Sequence, residues 1–431
     1  MNSLPLRKRK PLLYWIILIV SATATTAELT VTTEPSKEIF RCGETVEFIV
    51  NIRENTERSN KSRTVVDVNL TRDGRVPFRK FSFDPAKQPL PYRILETLQE
   101  PGFLRIDARL NYDDGGALQA AAVVGFEPEK LMPGMPEPDD FIRFWHDGQK
   151  AVREIPMDLE LIPVSVASTE KHTVYELSMR TVNNRRVYGF LTIPKAGRTK
   201  YPALVSVPGA GPGSFASTNL ADSGVVVLDM NVFPYPVPYD DLERNAKYQA
   251  IYPGGNYIFE GVPDRERYFF RSVFLGIDRA IDYLASRPEV DSERIGIFGS
   301  SQGGGSAIIL AALNPHIRAV VANVPALCDH NASVRERSPG WPHYANSTKE
   351  KSAVLEMARY FDAVNFAKYV KCPVRVIVGF LDTTCSPSSV YVMYNMLPPG
   401  KKRMIHESTM AHEIRYSYFE QQKWLIEQLN Q

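Results

Sequence analysis

The stretch RIGIFGSSQGGGSAIILAAL, residues 294–313, decides the fold. Its first part, Ile295 to Phe298, is a short apolar run that reads as a buried strand. Gly299-Ser300-Ser301-Gln302-Gly303 follows, and then a helical pattern in which Ile308, Ala311 and Ala312 share one face. G-x-S-x-G alone is a weak signal, because a Gly/Ser turn feeding a helix produces the same letters. Set between a strand and a helix, it reads as a nucleophile elbow. The turn is tight enough to need glycine on both sides, and it lifts the Ser301 hydroxyl towards the first N–H groups of the helix.

Outward from this stretch, apolar strands alternate with helices. ALVSV (203–207), 225–228, 295–298, 319–324, 374–378 and 403–406 read as strands, and the clearest helix between them spans 265–286. Continuous apolar strands separated by helices indicate an α/β fold with a doubly wound, mainly parallel sheet. Ahead of it lie two further strands, 173–180 and 186–193, and an amphipathic helix at 140–154 with Phe141, Phe144 and Trp145 on its core side. Residues 231–264, rich in proline, read as a long irregular excursion near the active face.

The N-terminal part has a different grammar. Between 28 and 126 short β runs such as ETVEFIVNIR and GFLRIDARLNYDDG alternate in-out between turn signals, which predicts an immunoglobulin-like β-sandwich. The Pro- and Glu-rich EPEKLMPGMPEPD, 127–139, reads as the linker opening a catalytic domain at 127–431. Residues 1–27 carry Arg7-Lys8-Arg9-Lys10, a short apolar run and small residues, the pattern of a secretory signal peptide. A secreted or periplasmic protein is expected, with no stable membrane span after cleavage. The leader holds four basic and no acidic side chains, so its removal takes the formal charge from +2 to −2. That balance gives no basic face for nucleic acid. The four cysteines, at 42, 328, 372 and 385, match neither a metal knuckle nor a dense disulfide scaffold, and buried free thiols are expected.

A serine nucleophile needs a base to take its proton and a third group to orient that base. In α/β-hydrolases these follow the serine in the order acid, histidine, each on a loop after a strand. Asp382 follows the strand VRVIVGF, and His412 follows KRMIHE and precedes a terminal helix at 414–429. Ser301, Asp382 and His412 are therefore the candidate catalytic residues. Among their rivals, His406 lies inside a strand, His316, His330 and His343 precede the acid, and Asp362 lacks a strand before it. Two N–H donors should face the developing oxyanion. One is expected from Gln302, and the other from Ala210 in the Pro-Gly-rich loop 208–213.

These segments resemble the acetyl xylan esterase and cephalosporin C deacetylase family of α/β-hydrolases. The resemblance rests on residues 265–313, VVANVPALCD, KCPVRVIVGFLDTTCSPSSVYVMYN and the AHE at 411–413, and it covers about 137–431. It implies an exported serine esterase that removes acetyl groups from sugar hydroxyls, with xylan fragments as the expected substrate. The expected partner is an acetylated carbohydrate, with no metal or organic cofactor. The family also implies a homo-oligomer, a question the extra sandwich leaves open. Two departures stand out. Met230-Asn231-Val232-Phe233 replaces the family's Arg-Gly-Gln, and Pro208-Gly209-Ala210 replaces its His-Gly-Tyr. Two other readings share features of the sequence: an exported peptidase of the prolyl oligopeptidase kind, and a non-catalytic polysaccharide-binding protein on a hydrolase scaffold.

Overall fold

The computed structural model describes residues 27–54, 63–113, 115–195, 197–344 and 351–431, so the expected leader lies outside the described residues except for Ala27. Among the described residues no helix is long and apolar enough to cross a membrane.

The N-terminal part is a pair of packed sheets. Its strands are β1 (Ala27–Glu34), β2 (Ile39–Phe40), β3 (Val46–Glu54), β4 (Arg63–Arg72), β5 (Val76–Phe83), β6 (Tyr92–Glu96), β7 (Gly102–Tyr112) and β8 (Ala117–Phe126). They form a sheet β1-β3-β6 and a sheet β2-β8-β7-β4-β5. The alternation seen in the sequence decides which side chains go inward. Val46, Phe48 and Val50 of β3 meet Val66, Val68 and Leu70 of β4 and Leu104 and Ile106 of β7 in one core. β5 lies at the sheet edge, where Pro77 is tolerated and the side chains stay mostly exposed. Its mixed Pro, Arg and Lys letters hid it from the sequence reading.

The second part begins with α1 (Phe141–Glu154), whose Phe141, Phe144 and Trp145 are buried as expected. Next come β9 (Glu160–Pro163), β10 (His172–Thr181), β11 (Arg185–Pro194) and β12 (Tyr201–Val207). They lead into α2 (Thr218–Asp222), β13 (Val226–Asn231), α3 (Asp241–Ile251), α4 (Phe269–Ser286), β14 (Val290–Ser300) and α5 (Gln302–Leu313). The chain continues through β15 (Ile317–Asn323), α6 (Lys351–Ala358), α7 (Ala363–Ala367), β16 (Val374–Gly379), α8 (Pro387–Met396), β17 (Lys402–Glu407) and α9 (Tyr416–Leu429).

The nine strands lie in the order β17-β16-β15-β14-β12-β13-β11-β10-β9. β12 to β17 run parallel, and β9 to β11 form an antiparallel edge. From β12 the chain moves first to one side, to β13, and then crosses to the other, to β14. The loops after β12 and β14 therefore part company at a topological switch point, where α/β sheets open a crevice at the carboxyl ends of their strands. One face of the sheet is covered by α1, α4 and α5. The other is covered by α2 and α9, through Ala221, Tyr418, Leu425 and Leu429.

Three expectations are corrected. α4 begins at Phe269 instead of 265, because Asp264 and Arg267 are taken into turns, and Phe269 N–H donates to the Glu260 carbonyl. α5 buries nearly its whole circumference, not one face, since the sheet lies on one side and α4 and α7 on others. The excursion after β13 is partly regular. Asp240 caps α3 by accepting from the Leu242 and Glu243 N–H groups, and a 3-10 turn at Pro253–Phe259 follows.

Candidate active site

The end of β14 turns into α5 through Ser301, whose backbone sits at φ 56°, ψ −121°. A non-glycine residue in that region is strained, and such strain clusters where a side chain must be presented. Two glycines make the turn sterically available. A β-carbon on Gly299 would lie 2.4 Å from the Gly303 carbonyl group, and one on Gly303 would lie 2.0 Å from the Val207 carbonyl oxygen. The backbone of β12 thus packs directly against the start of α5. Ser301 N–H donates to the Asn323 carbonyl at 2.9 Å, tying the turn to β15.

His412 lies on the loop after β17. Its Nε2 is 2.9 Å from Ser301 Oγ, and its Nδ1 is 2.8 Å from Asp382 Oδ2. The other carboxylate oxygen of Asp382 accepts from the N–H groups of Thr384 and Cys385, each at 2.8 Å. The Asp382 side chain is fully buried, while that of His412 is 29% exposed, so the carboxylate is enclosed and the imidazole reaches solvent. With its acceptor positions occupied by three donors, the carboxylate has one orientation open to it. The structure thus brings together the three side chains singled out in the sequence.

Gln302 is the first residue of α5, with its N–H at the helix N-terminus directly after Ser301. Its buried side chain turns inward, where Tyr257 Oη donates to Gln302 Oε1 at 2.6 Å. The loop carrying Ala210 passes over the elbow: a β-carbon on Gly209 would be 3.9 Å from that of Ser301, and Ala210 itself is exposed.

His406, Asp362 and His343 are engaged elsewhere. His406 bridges Tyr391 Oη at 2.6 Å and Glu38 at 3.0 Å, joining the last strand to the sandwich. Asp362 caps α7 and accepts from the N–H groups of Asp329 and His330 as well. Burial pushes its carboxyl up to about 7, with Asp329 adding to the effect. His330 is buried against the Tyr344 ring, and His343 Nε2 donates to the Thr384 carbonyl at 2.9 Å. Glu413 pairs with Arg415.

Several residues at the site were not singled out from the sequence. Asn323 Nδ2 donates to Ser300 Oγ at 2.8 Å and to the Glu413 carbonyl at 3.3 Å, linking the elbow to the histidine loop. The Cys385 thiol lies beside the Ser301 hydroxyl, and burial raises it well above the usual thiol range. Cys385 was read from the sequence only as one of four free thiols, with no place at the site. Asn323 and Tyr257 had no local signal at all, since their partners are distant in sequence. All four cysteines are free thiols, three of them buried.

Residues 127–428 match the family model for acetyl xylan esterase (AXE1). The chain belongs to that family. As a member it is an acetyl-ester hydrolase of the serine type, on an α/β-hydrolase fold. Among characterised proteins it is 34% identical over 345 residues to acetyl esterase Axe7A of Xylanibacter ruminicola, covering 77% of this chain and 76% of that one. Of solved structures, acetyl xylan esterase 1 from Thermoanaerobacterium sp. JW/SL YS485 superposes with a TM-score of 0.61 at 24% identity, covering 71% of this chain and 98% of that one. The acetyl xylan esterase of Paenibacillus sp. R4 gives 0.59 at 24% identity, over 70% and 98% of the two chains. Both likenesses are to the fold.

Family membership makes the departures at the crevice concrete. Met230, Asn231, Val232 and Phe233, where the sequence lacks Arg-Gly-Gln, are all buried. Phe233 sits among the rings of Tyr235, Tyr248, Tyr252, Tyr257 and Phe269, with centroids 5.1–6.2 Å away. Where that motif would stand, the chain therefore packs Phe233 among stacked and edge-on rings.

Proposed function

We propose that this esterase deacetylates sugar hydroxyls, with acetylated xylan fragments as its substrate class, and that Ser301, His412 and Asp382 carry the reaction. The observation that carries the reading is the continuous relay from Ser301 Oγ to His412 to Asp382, at 2.9 Å and 2.8 Å, in a chain of this family. The export reading rests on the leader pattern at 1–27, and the division into 28–126 and 127–431 on the separate sandwich core and the reach of the family match.

The chemistry follows from the geometry. His412 Nε2 takes the Ser301 proton as Oγ attacks the acetyl carbonyl, and the carbonyl electron pair moves onto oxygen. That oxyanion is met by the Gln302 N–H, aligned with the helix N-terminus, and by the Ala210 N–H. The tetrahedral species collapses, the sugar alkoxide leaves, and His412 returns the proton to it. Water then attacks the acetyl-serine with the same base, releasing acetate. Asp382, held by two backbone N–H groups, keeps the His412 Nδ1 proton in place and stabilises the imidazolium.

The test is acetate release from acetylated xylo-oligosaccharides by the mature chain and by Ser301→Ala. Loss of the nucleophile is expected to lower kcat by roughly 10⁴-fold or more. A variant that still releases acetate at the native rate removes Ser301 from the mechanism. Native protein that cleaves simple acetyl esters but not the oligosaccharides removes the xylan assignment.

A further inference from the structure

The sandwich touches the catalytic layer where the acid loop lies. Arg105 of β7 donates from Nη1 to the carbonyl of Leu381, the residue before Asp382, at 3.3 Å. Asp107, two residues along the same strand face, pairs with this guanidinium at 2.8 Å and fixes its direction. Phe103 lies edge-on to Phe380 with centroids 5.3 Å apart, and 5.5 Å from the Tyr391 ring. The β4–β5 turn reaches further in. Asp73 accepts from Ser388 Oγ at 2.7 Å and from Ser338 N–H at 2.5 Å, while Ser338 Oγ donates to the Asp73 carbonyl at 2.9 Å.

Those contacts continue to the acid loop by a second route. Ser386, which caps α8, donates from Oγ to the Ser338 carbonyl at 2.8 Å. Trp341 N–H and His343 Nε2 both donate to the Thr384 carbonyl. A cavity of about 70 Å³ remains between the sandwich and the back of the loop, lined by Asp73, Phe103, Arg105, Asp382, Thr383 and Pro387. The loop is therefore held on its histidine side by the triad and on its outer side by residues from another sheet system.

We propose that the sandwich braces the acid loop, and that Arg105 is a positioning residue for the esterase reaction. The proposal rests on the reading of Asp382 as the acid. Arg105 acts through the Leu381 carbonyl: it fixes the peptide that leads into Asp382, and so the direction in which the carboxylate meets His412. A small drift of this loop changes the hydrogen bond to His412 Nδ1 without unfolding anything. Arg105 reaches the loop through the Leu381 carbonyl and not through the Ser301 or His412 side chains, so its loss should act on kcat more than on KM.

The test uses the full-length enzyme, with Arg105→Met, Arg105→Lys, Arg109→Ala and Asp382→Asn compared by kcat, KM, the pH profile of kcat, and melting temperature. Arg105→Met keeps the side-chain stem but has no donor. The expected result is a kcat about 5- to 20-fold lower, KM within about twofold, and a displaced acid limb of the pH profile. Lysine, which retains a donor, should recover part of kcat. Arg109→Ala removes a cation from the same strand away from the loop and should leave kcat unchanged. A kcat for Arg105→Met within twofold of the native value, or an equal loss in Arg109→Ala, overturns the brace. Asp382→Asn separates the two readings: a large loss there with a silent Arg105→Met leaves the acid assignment standing, whereas an active Asp382→Asn removes both.

Discussion

The serine turn and the acid loop deliver their groups to the same imidazole but are specified in opposite ways. At the serine turn the geometry is written into five consecutive residues. Gly299 and Gly303 have no room for a β-carbon, and Ser301 takes up the strained backbone between them. At the acid loop, the nearby Thr384 and Cys385 N–H groups hold the carboxylate, but bonds with remote segments hold the loop itself: Trp341 and His343 onto Thr384, Ser386 onto Ser338, and Arg105 onto Leu381. The first kind of site fails when one atom is added. The second is distributed, so single losses should be graded and pairwise coupled.

The largest effect is expected from Gly303→Ala. The new methyl would fall 2.0 Å from the backbone oxygen of Val207, which cannot rotate away as a side chain could. Either β12 or the elbow must move, at a cost of roughly 4 kcal/mol or more, with kcat/KM falling by at least about 10³-fold. Urea unfolding and acetate release measure the two. If this variant is as stable and active as the native enzyme, the contrast between the two loops collapses.

The second effect concerns the distributed side. Burial pushes the Asp73 carboxyl up to about 6, with the Ser388 and Ser338 bonds and Arg337 opposing and Asp329 adding to the rise. The folded chain then holds this proton to a higher pH than the unfolded chain, where an aspartate titrates near 3.9. Between about pH 4 and 6 the folded state binds more protons, so this group lowers stability as pH rises, up to about 3 kcal/mol, and adds no slope above. Asn at this position can keep both donors on one oxygen, because Asp73 Oδ2 accepts from Ser388 and Ser338 and Oδ1 has no partner. Asp73→Asn should therefore gain on the native protein as pH goes from 4 to 6.5, read from urea midpoints at each pH. A constant difference across that range would mean that Asp73 is not titrating at the interface.

The same contrast explains what the sequence disclosed. Ser301 could be read because glycines stand two positions away on either side, with a strand before and a helix after, all within twenty residues. The parallel order of β12 to β17 was implicit in their apolar runs, since strands buried on both faces carry little else. Asp382 and His412 were legible through position alone, each on a loop after a strand. Tyr257, Asn323 and Arg105 were not, because nothing near them in the chain distinguishes a tyrosine, asparagine or arginine with a distant partner from one without. β5 escaped for a related reason: an edge strand with mostly exposed side chains needs no apolar alternation.

The smallest effect, and the finest probe of where local and distributed control meet, is Tyr257→Phe. Gln302 belongs to the elbow by its backbone, yet its side chain is buried and held by Tyr257 from the excursion after β13. Removing the phenolic oxygen leaves Gln302 Oε1 without that donor, in a place where Gln302 Nε2 already has no partner. An orphaned buried acceptor costs about 1–3 kcal/mol, and Gln302 is fully buried, so bulk water does not take the place of the lost donor. The Gln302 side chain is one step removed from its own backbone N–H, the proposed oxyanion donor, so kcat should drop by about 3- to 5-fold with KM little changed. Stability lost with kcat intact would place the control of the oxyanion donor wholly in the glycines. A drop in kcat would show that the aromatic cluster of Phe233 and Tyr257 helps to aim that donor.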